Sequence, residues 1–491
     1  MAMQKLWPVV RGVLKWSGIT AVGLIALAVL LLAAAFTINA RDEPLSAQAR
    51  ALLTPPPNPY KPEENIYLAL AGADAPPGEP VIAAGLTKVS TYNQRVDALT
   101  RNPTLAAEVA SIHLPEDPHR LEFKGDCNFL NPLGESLWQT VPPHRGQIEK
   151  LLADNRELYQ RYLTMRGLHG YYETARASYL APFFWAFPVC PRKLFLAEYV
   201  LRVRSGDLSE RRQALADLQD DVQLWMNVFK GEGALVAKMV SVVYLQGDYL
   251  VLADTIADSQ VALPLGKQDG DAFVRVSDLG DWDLGGAFAA EFRVSSSLMQ
   301  QTDELSGSAW AAEGEPHGAL HRELTRLYNR MGGQFFKLNA TENLLARQTV
   351  RRMQRARDPQ SFPTTRYEST DSPFAQGVSA WSFVRRMSYN PIGKYLAALA
   401  DPAYEDYPPR AWDAAAVQRL VRLSYEIRRQ QIAPAAIPAF LEQHPAWSTH
   451  PADGRPFLWD ARTGELRIQT VGKQPPGRRF SVPVWQAPTT N

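Results

Sequence analysis

The chain has 491 residues, of which 46% are hydrophobic and 21% are charged. These fractions are typical of globular proteins that fold in water, and they exclude both a largely disordered chain and a protein with many membrane spans. The 52 Lys and Arg residues almost balance the 51 Asp and Glu residues. The chain therefore lacks the positive charge excess typical of nucleic-acid-binding proteins, and no nucleic-acid partner is predicted.

The N-terminal region contains an apolar segment at residues 19–38, ITAVGLIALAVLLLAAAFTI, with no charged side chain. A helix of this length crosses about 30 Å of hydrocarbon, so the segment is predicted to span a lipid bilayer once. Lys5, Arg11 and Lys15 precede it. Because positive residues flank the cytoplasmic side of a span, residues 1–18 are predicted to be cytoplasmic and the rest of the chain to lie outside.

A cleaved signal peptide is the alternative interpretation of this segment, because Ile38-Asn39-Ala40 loosely resembles a cleavage site. The apolar region of a signal peptide is usually about 7 to 15 residues long, and Ile is bulky for the third position before a cut. The longer segment favours an uncleaved anchor.

Residues 39–62 include the Pro-rich stretch TPPPNPYKP and are predicted to form an extended stalk. Residues 63–445 are predicted to form a helical body. Apolar periodicity predicts helices over 194–204, 209–229 and 234–257, with Ser209 as a cap. The last of these contains Lys238 and Asp248, which favours a soluble core helix over a second span.

Further helices are predicted over 312–331, over 340–357 after a capping box at 339–342, and from Asn390-Pro391 onward. The helical hairpins resemble tetratricopeptide units locally, but no period of about 34 residues repeats. The predicted fold class is therefore mainly α, an irregular array of helical hairpins. Residues 446–491 are predicted to add a small antiparallel β element, with strands in FLWD, ELRIQT and RFSVPVW.

The two cysteines, Cys127 and Cys190, both follow the predicted span. On the oxidising side of a membrane they can form a disulfide, which would tie a Pro-rich and Gly-rich stretch to the helical body. Two unpaired buried thiols are the alternative. Neither cysteine belongs to a C-x-x-C motif, so a redox or zinc site is disfavoured.

Several short motifs together resemble a family of single-pass, inner-membrane-anchored, periplasm-facing proteins of Gram-negative bacteria. The resemblance rests on Asn65-Ile66-Tyr67, Gly72, Gly85, both cysteines, ALVAKMV at 234–240, Asn390-Pro391-Ile392-Gly393 and DGRPF at 453–457. It implies a bacterial inner-membrane location with a periplasmic body. It assigns no catalytic residue.

Catalytic motifs for serine nucleophiles and for nucleotide binding are missing from the sequence. His317 and His321 are one turn apart on a predicted helix and could face one metal ion, although two histidines at the polar edge of a helix are the simpler interpretation. No cofactor is predicted.

Lys238 and Glu291 each lie in an apolar helical stretch. Because a buried charge needs a partner, the two are predicted to form a buried ion pair; a catalytic or ligand-binding use of Lys238 is the alternative.

These observations predict a membrane-tethered periplasmic scaffold or protein-interaction module of the cell envelope. Its partners would be the bilayer, through residues 19–38, and an envelope protein. The alternative is a cell-envelope enzyme of the glycan hydrolase type that uses paired carboxylates, which need no local sequence motif.

Overall fold

The computed structural model is predominantly helical, with one small antiparallel sheet near the C-terminus, as the sequence predicts. It describes residues 2–101, 117–178, 187–258, 261, 275–308, 333–358, 379–400, 404, 406–474 and 477–485. The helix predicted over 312–331, together with His317 and His321, lies outside these residues.

Helices in the first part of the chain are mostly short, apart from the first. They are α1 (Ala2–Ile38), α2 (Ala47–Leu53), α3 (Ile66–Gly72), α4 (Val81–Arg101), α5 (Leu137–Thr140), α6 (Arg145–Asp154) and α7 (Arg156–Met165). Single 3-10 turns lie at Pro62–Glu64 and Pro142–His144.

The helices of the second part of the chain include several longer ones, among them those predicted from the apolar periodicity. They are α8 (Val189–Val203), α9 (Leu208–Lys230), α10 (Leu235–Ala257), α11 (Gly285–Ser308), α12 (Leu338–Arg357), α13 (Ala380–Met387), α14 (Pro391–Ala400), α15 (Tyr407–Arg429), α16 (Ile437–Gln443) and α17 (Pro445–Ser448). Two more 3-10 turns lie at Leu279–Trp282 and Pro434–Ala436.

The chain divides into two compact units, each made of separate stretches. Unit 1 comprises Met1–Ala51, Leu298–Arg347 and Glu368–Pro402. Unit 2 comprises Leu52–Ser297, Gln348–Tyr367 and Ala403–Asn491.

Helix α10 is the centre of unit 2 and packs against α8, α9 and α15. Among the described residues it is the one helix that is long and apolar enough to cross a membrane, but 78% of its apolar window is buried inside the fold. This burial fits the prediction of a core helix. The stretch Val22–Ile38 of α1 is a shorter apolar segment by the same measure.

The turn between α8 and α9 corrects one detail of the predicted helical hairpin. The cap of α9 is Asp207, whose carboxylate accepts a hydrogen bond from Ser209 N–H at 2.8 Å. Gly206, with φ of 88°, takes the left-handed conformation that the turn needs. Serine and aspartate are equally good cap residues, so the sequence alone does not show that Asp207, rather than the predicted Ser209, takes this position.

Helices α3 and α4 cross at two glycines. A Cβ atom on Gly72 would lie 1.9 Å from the Val81 carbonyl oxygen, and one on Gly85 would lie 2.0 Å from the Leu68 carbonyl oxygen. Any side chain at these positions would push the helices apart. Gly72 and Gly85, two of the residues on which the family resemblance rests, therefore have a packing role.

The C-terminal sheet has the order β1 (Leu458–Asp460), β2 (Glu465–Arg467), β3 (Ser481–Pro483), with both pairs antiparallel. Leu466 and Val482 face each other and are fully buried. On α15, Ser424 Oγ donates a hydrogen bond to the Pro483 carbonyl at 2.9 Å. The helix supplies the support that a sheet of this size needs.

Asp413, also on α15, holds the segment that follows β2. Its buried carboxylate accepts hydrogen bonds from Val471 N–H at 2.8 Å and from Gly472 N–H at 3.2 Å, and it contacts His450 Nε2 at 3.1 Å. The Gln474 side-chain amide also donates to this carboxylate, so the four bonds together tie the C-terminal segment to the core.

A disulfide joins Cys127 to Cys190, with their Cα atoms 5.8 Å apart. Cys127 is buried in a stretch without regular secondary structure, and Cys190 lies in the first turn of α8. The bridge therefore ties this stretch to the helical core, as predicted.

The end of α1 is bonded into the rest of unit 1. Asn39 is fully buried; its Nδ2 donates to the Ser388 carbonyl at 2.7 Å and its Oδ1 accepts from Asn390 N–H at 2.8 Å. Asp42 caps α12 by accepting hydrogen bonds from Asn339 N–H and Ala340 N–H, at 2.8 and 3.1 Å. The capping box predicted from residues 339–342 is thus replaced by a distant carboxylate.

Residues 39–62 are therefore not a free-standing stalk. Residues 47–53 are helical, and in unit 2 the Tyr172 hydroxyl donates to the Pro56 carbonyl at 2.7 Å while the Tyr60 ring packs on Gly170. Proline prevents a helix here, as expected, but it leaves carbonyl groups and ring faces available for packing, which the local sequence does not reveal.

Candidate functional site

Two carboxylates meet at the start of α10. Glu173 Oε2 accepts a hydrogen bond from Ala234 N–H at 3.0 Å, and Glu291 Oε1 accepts one from Leu235 N–H at 2.9 Å. The unpaired N–H groups at a helix start carry partial positive charge and attract carboxylates. We call this group of side chains, with Lys238 and Tyr171, the α10 cluster.

The backbone brings Glu173 to this position through a close approach of two segments. Glu173 N–H donates to the Glu232 carbonyl at 2.9 Å, and Glu232 N–H donates to the Tyr171 carbonyl at 3.1 Å. A Cβ atom on Gly231 would lie 2.2 Å from the Tyr171 carbonyl oxygen, and one on Gly233 would lie 2.7 Å from Glu173 Oε1. Both glycines are needed because a side chain would separate the segments.

Lys238 lies one turn into α10 and is 2% exposed. Its ammonium group donates hydrogen bonds to the Val228 carbonyl at 2.9 Å and to the Gly231 carbonyl, at the end of α9. It also lies 5.5 Å from the centre of the Tyr171 ring. A cation is stabilised at a helix C-terminus, where carbonyl groups lack partners, and over an aromatic face.

The predicted ion pair between Lys238 and Glu291 is not formed in the part of the chain that the structure describes. The ammonium group binds carbonyls at the end of α9, whereas the Glu291 carboxylate binds an amide at the start of α10. The prediction failed because each charge found an unpaired backbone group at a helix end, and the apolar pattern around the two residues does not show where helix ends meet.

Glu232 and Arg293 form an ion pair beside the cluster, with both side chains mostly buried. Arg293 also donates to the Leu52 carbonyl at 3.4 Å. On the inner side, the Tyr171 hydroxyl donates to Glu173 Oε1 at 2.6 Å. The Glu173 carboxylate therefore has a partner on each oxygen.

Burial dominates the electrostatics of the α10 cluster. It lowers the pKa of Lys238 to about 8, against the opposing effect of Glu173 and Glu232. Burial also raises the pKa of Glu173, and it raises the pKa of Glu291, to which the neighbouring Glu173 carboxylate adds. Perturbed acid and base groups held together in this way are the type of arrangement found at functional sites, although structural networks also produce it.

Glu173 and Glu291 are residues of intermediate exposure, although their carboxyl groups are buried enough to raise the pKa, whereas Lys238 is closed off from solvent. A raised pKa makes a carboxyl group hold its proton more strongly, which is the property that general acids use. The Lys238 bonds to two carbonyls at the end of α9 join α9 to α10.

A second charged group lies deeper in unit 2, around Arg192. The guanidinium pairs with Asp248 and lies 3.5 Å from Asp221, and no member is more than 2% exposed. The Tyr162 hydroxyl donates to Asp221 at 2.5 Å, and Trp225 Nε1 donates to the Tyr162 hydroxyl at 3.2 Å. Burial raises the pKa of both carboxyl groups, against the opposing effect of Arg192.

One guanidinium cannot neutralise two carboxylates, and Oδ2 of each aspartate has no hydrogen-bond partner among the described residues. A proton on one carboxyl group makes the three side chains neutral together, in line with the raised pKa values. Because the group is sealed, it offers no access to a substrate. It joins α8, α9 and α10 at the core.

One described cavity in unit 2 has a volume of about 350 Å³. Its lining consists of Arg428, Gln431, Ile432, Ala433, Pro434 and Trp485. None of these residues is acidic, so this cavity does not provide the paired carboxylates that a glycan hydrolase needs.

The described residues hold no group of three or more His, Cys, Asp or Glu side chains that could bind a metal ion. His317 and His321 lie outside them, so the metal site suggested by their spacing remains a prediction. His450 is described, and it binds Asp413 in the core.

Sequence reasoning missed Glu173 in the α10 cluster, the Glu232–Arg293 ion pair beside it, and Arg192 with Asp221 in the core. These residues come from separate segments of the chain that meet only in the folded protein. One local signal was available: Glu232 stands between two glycines, a pattern that indicates close backbone approach.

Comparisons of this chain with protein-family models, with curated proteins and with solved structures give no match.

Proposed function

We propose that this protein is a membrane-tethered scaffold of the bacterial cell envelope, anchored by α1 in the inner membrane with its body in the periplasm. In this proposal the N-terminus is cytoplasmic and the body binds an envelope protein. The family resemblance supports the same compartment.

The observation that carries the proposal is the surface of α1. From Val22 to Leu32 the exposed large apolar side chains are 50% to 67% exposed and lie around the whole helix. Such a surface is unfavourable in water and matches the hydrocarbon of a bilayer. By contrast, α10 is also apolar but buries its surface in unit 2.

The disulfide supports an oxidising compartment, since such bridges are rare in the cytosol. The charged groups support a scaffold role, because Lys238 and the Arg192 group are used to join helices to each other. What remains for a partner is the outer surface of the body.

Topology is tested with alkaline phosphatase, which is active only after export, fused after residue 62. We expect an active fusion, and an inactive one when the same enzyme follows residue 16, before the apolar stretch. An inactive fusion after residue 62, at normal abundance, would reverse the proposed orientation.

The scaffold role is tested by crosslinking the full chain in native membranes and identifying the products by mass spectrometry. We expect crosslinks from unit 2 to a recurring envelope protein. The proposal would be contradicted if every crosslink lay within this chain, in an experiment whose yield is high enough to detect the crosslinks expected within unit 2.

Glu173 and Glu291 favour a second candidate, a hydrolase of envelope glycans. They are two carboxyl groups with raised pKa values, in residues of intermediate exposure, that bind adjacent amides of one helix, and most glycoside hydrolases use a pair of carboxyl groups.

The hydrolase candidate is tested by release of soluble fragments from purified cell-wall glycan. Glu173→Gln and Glu291→Gln should each abolish release, while Glu149→Gln, in an exposed ion pair, should not. Equal activity in all variants, or none in the wild type, rules this candidate out.

A further inference from the structure

We propose that the paired helices α13 and α14 lie on the membrane surface, with their exposed apolar faces in the lipid headgroup region. This inference rests on the proposed function, because it needs α1 to be in the bilayer. It adds a second contact with the membrane, made by residues far from α1 in the sequence.

Helix α13 exposes an apolar face with a basic edge. Trp381 and Val384 are 76% and 56% exposed, and Arg385 is exposed beside them. Spacings of three and four residues place these three side chains on one side of the helix. The helix is well formed, because Ser379 Oγ accepts a hydrogen bond from Ser382 N–H at its start.

Helix α14 also exposes an apolar face. Ile392 and Leu399 are 38% and 61% exposed, while Gly393 and Ala397 are buried on the opposite side. Gly393 packs so closely that a Cβ atom there would lie 1.9 Å from Thr341 Oγ1. The two exposed faces together form what we call the α13–α14 surface.

The position of this surface identifies what covers it. The junction between the two helices, Ser388 to Asn390, is hydrogen-bonded directly to Asn39, the residue that follows α1. Tyr389, in the same junction, is bonded to the segment that follows α1, because its hydroxyl oxygen accepts a hydrogen bond from Glu43 N–H at 3.1 Å. The surface is thus fixed to the point where the apolar helix ends.

Helix geometry limits how far the surface can lie from that point. At 1.5 Å per residue, Trp381 is about 10 Å along α13 from Ser388, and Leu399 is about 13 Å along α14 from Asn390. Both distances exceed the depth of the headgroup region on one side of a bilayer, which is about 5 to 8 Å, so these side chains stay in that region when the two helices lie along the membrane plane.

The chemistry of the surface fits that region. Tryptophan prefers the membrane interface, apolar helix faces insert at the boundary between headgroups and acyl chains, and arginine pairs with anionic headgroups. A soluble partner would need no fixed distance from α1. A membrane contact does, and the Asn39 bonds provide it.

The test uses full-length protein in vesicles of zwitterionic and anionic phospholipid, with the native disulfide intact. Single cysteines replace Val384 or Leu399 and carry a nitroxide label, whose collisions with oxygen and with a polar nickel chelate are measured. Matched controls are Leu208→Cys, 52% exposed in unit 2, and Leu30→Cys, 66% exposed in α1. Circular dichroism checks that each labelled protein is folded.

We expect the ratio of oxygen to nickel collisions to be several-fold higher at 384 and 399 than at 208, and highest at 30. Removing the anionic lipid should lower the ratio at 384, beside Arg385. If position 30 reports lipid while 384 and 399 report water, the inference is overturned and the anchor stands. Protection of 384 and 399 from both reagents would mean that protein covers the surface, which also overturns it. Water at position 30 would overturn the anchor and the inference together.

Discussion

Arg192 and Asp248 form an ion pair that is closed off from water, with neither side chain more than 2% exposed. Such a pair stabilises a fold only while both partners are present, because removing one leaves a charge in a medium that solvates it poorly. The presence of Asp221 beside the pair makes the balance unequal: there are two acids for one base.

Arg192→Met should therefore destabilise unit 2 strongly, by about 3 to 5 kcal/mol, because it leaves both buried carboxyl groups without the guanidinium that balances their charge. Asp248→Asn should cost less, about 1 kcal/mol, because it replaces a group of raised pKa with a neutral amide of the same shape. Urea unfolding of the detergent-solubilised protein, followed by tryptophan fluorescence, gives both values. Equal losses would mean that both carboxyl groups are ionised in the fold.

The lowered pKa of Lys238 predicts a pH dependence of stability. Between about 8 and its ordinary value of 10.5, the unfolded chain keeps the proton that the folded protein has released. Because stability rises with pH wherever the unfolded state binds more protons, this residue should add stability over that window, with a limiting slope of about 1.4 kcal/mol per pH unit.

Lys238→Met provides the control for this pH dependence, since it removes the titrating group alone. The free energy of unfolding of the wild type, minus that of the variant, should rise as the pH increases from 8 to 10. A flat difference would show that Lys238 titrates at its ordinary pKa.

The partners of Lys238 can be separated by double-mutant cycles. Lys238→Met combined with Glu173→Gln should be non-additive by about 1 kcal/mol or more, because the two charges interact. Lys238→Met combined with Glu291→Gln should be additive within about 0.5 kcal/mol, because these residues bind different helix ends. A larger coupling to Glu291 than to Glu173 would restore the ion pair that the sequence predicted.

Gly85→Ala tests the crossing of α3 and α4. The new methyl group would meet the Leu68 carbonyl oxygen, and we expect a loss of about 1 to 3 kcal/mol from overpacking. Gly146→Ala, in α6, meets no atom within 4 Å and should be neutral or slightly stabilising, since alanine favours helices. A neutral Gly85→Ala would show that the helices can separate without cost.

How far the sequence predicts this fold depends on the range over which each signal acts. Apolar periodicity acts within a helix, and it correctly located α8, α9 and α10; alternation and turn residues located the three strands. The disulfide was predictable because Cys127 has a single possible partner.

The α10 cluster was beyond prediction for a physical reason. Glu173, Glu232 and Glu291 meet because helix ends and a two-glycine turn bring three segments together, and an unpaired amide attracts whichever carboxylate the fold places near it. Lys238 was correctly singled out as a buried charge, but its partners are backbone carbonyls, which every residue has.

The burial of Asn39 has a consequence for the order in which the chain matures. Its partner Ser388 is 349 residues away, so at about 5 to 20 residues per second the ribosome needs roughly 20 to 70 s to deliver it after Asn39 has been made. During that interval the polar groups that follow α1 depend on water for their hydrogen bonds. Unit 1 can close only after residue 390 has been synthesised, although the chain of unit 2 from Leu52 to Ser297 is complete well before then. A nascent chain arrested before residue 388 would therefore contain α1, but the side chain of Asn39 would still lack its hydrogen-bond partners in unit 1.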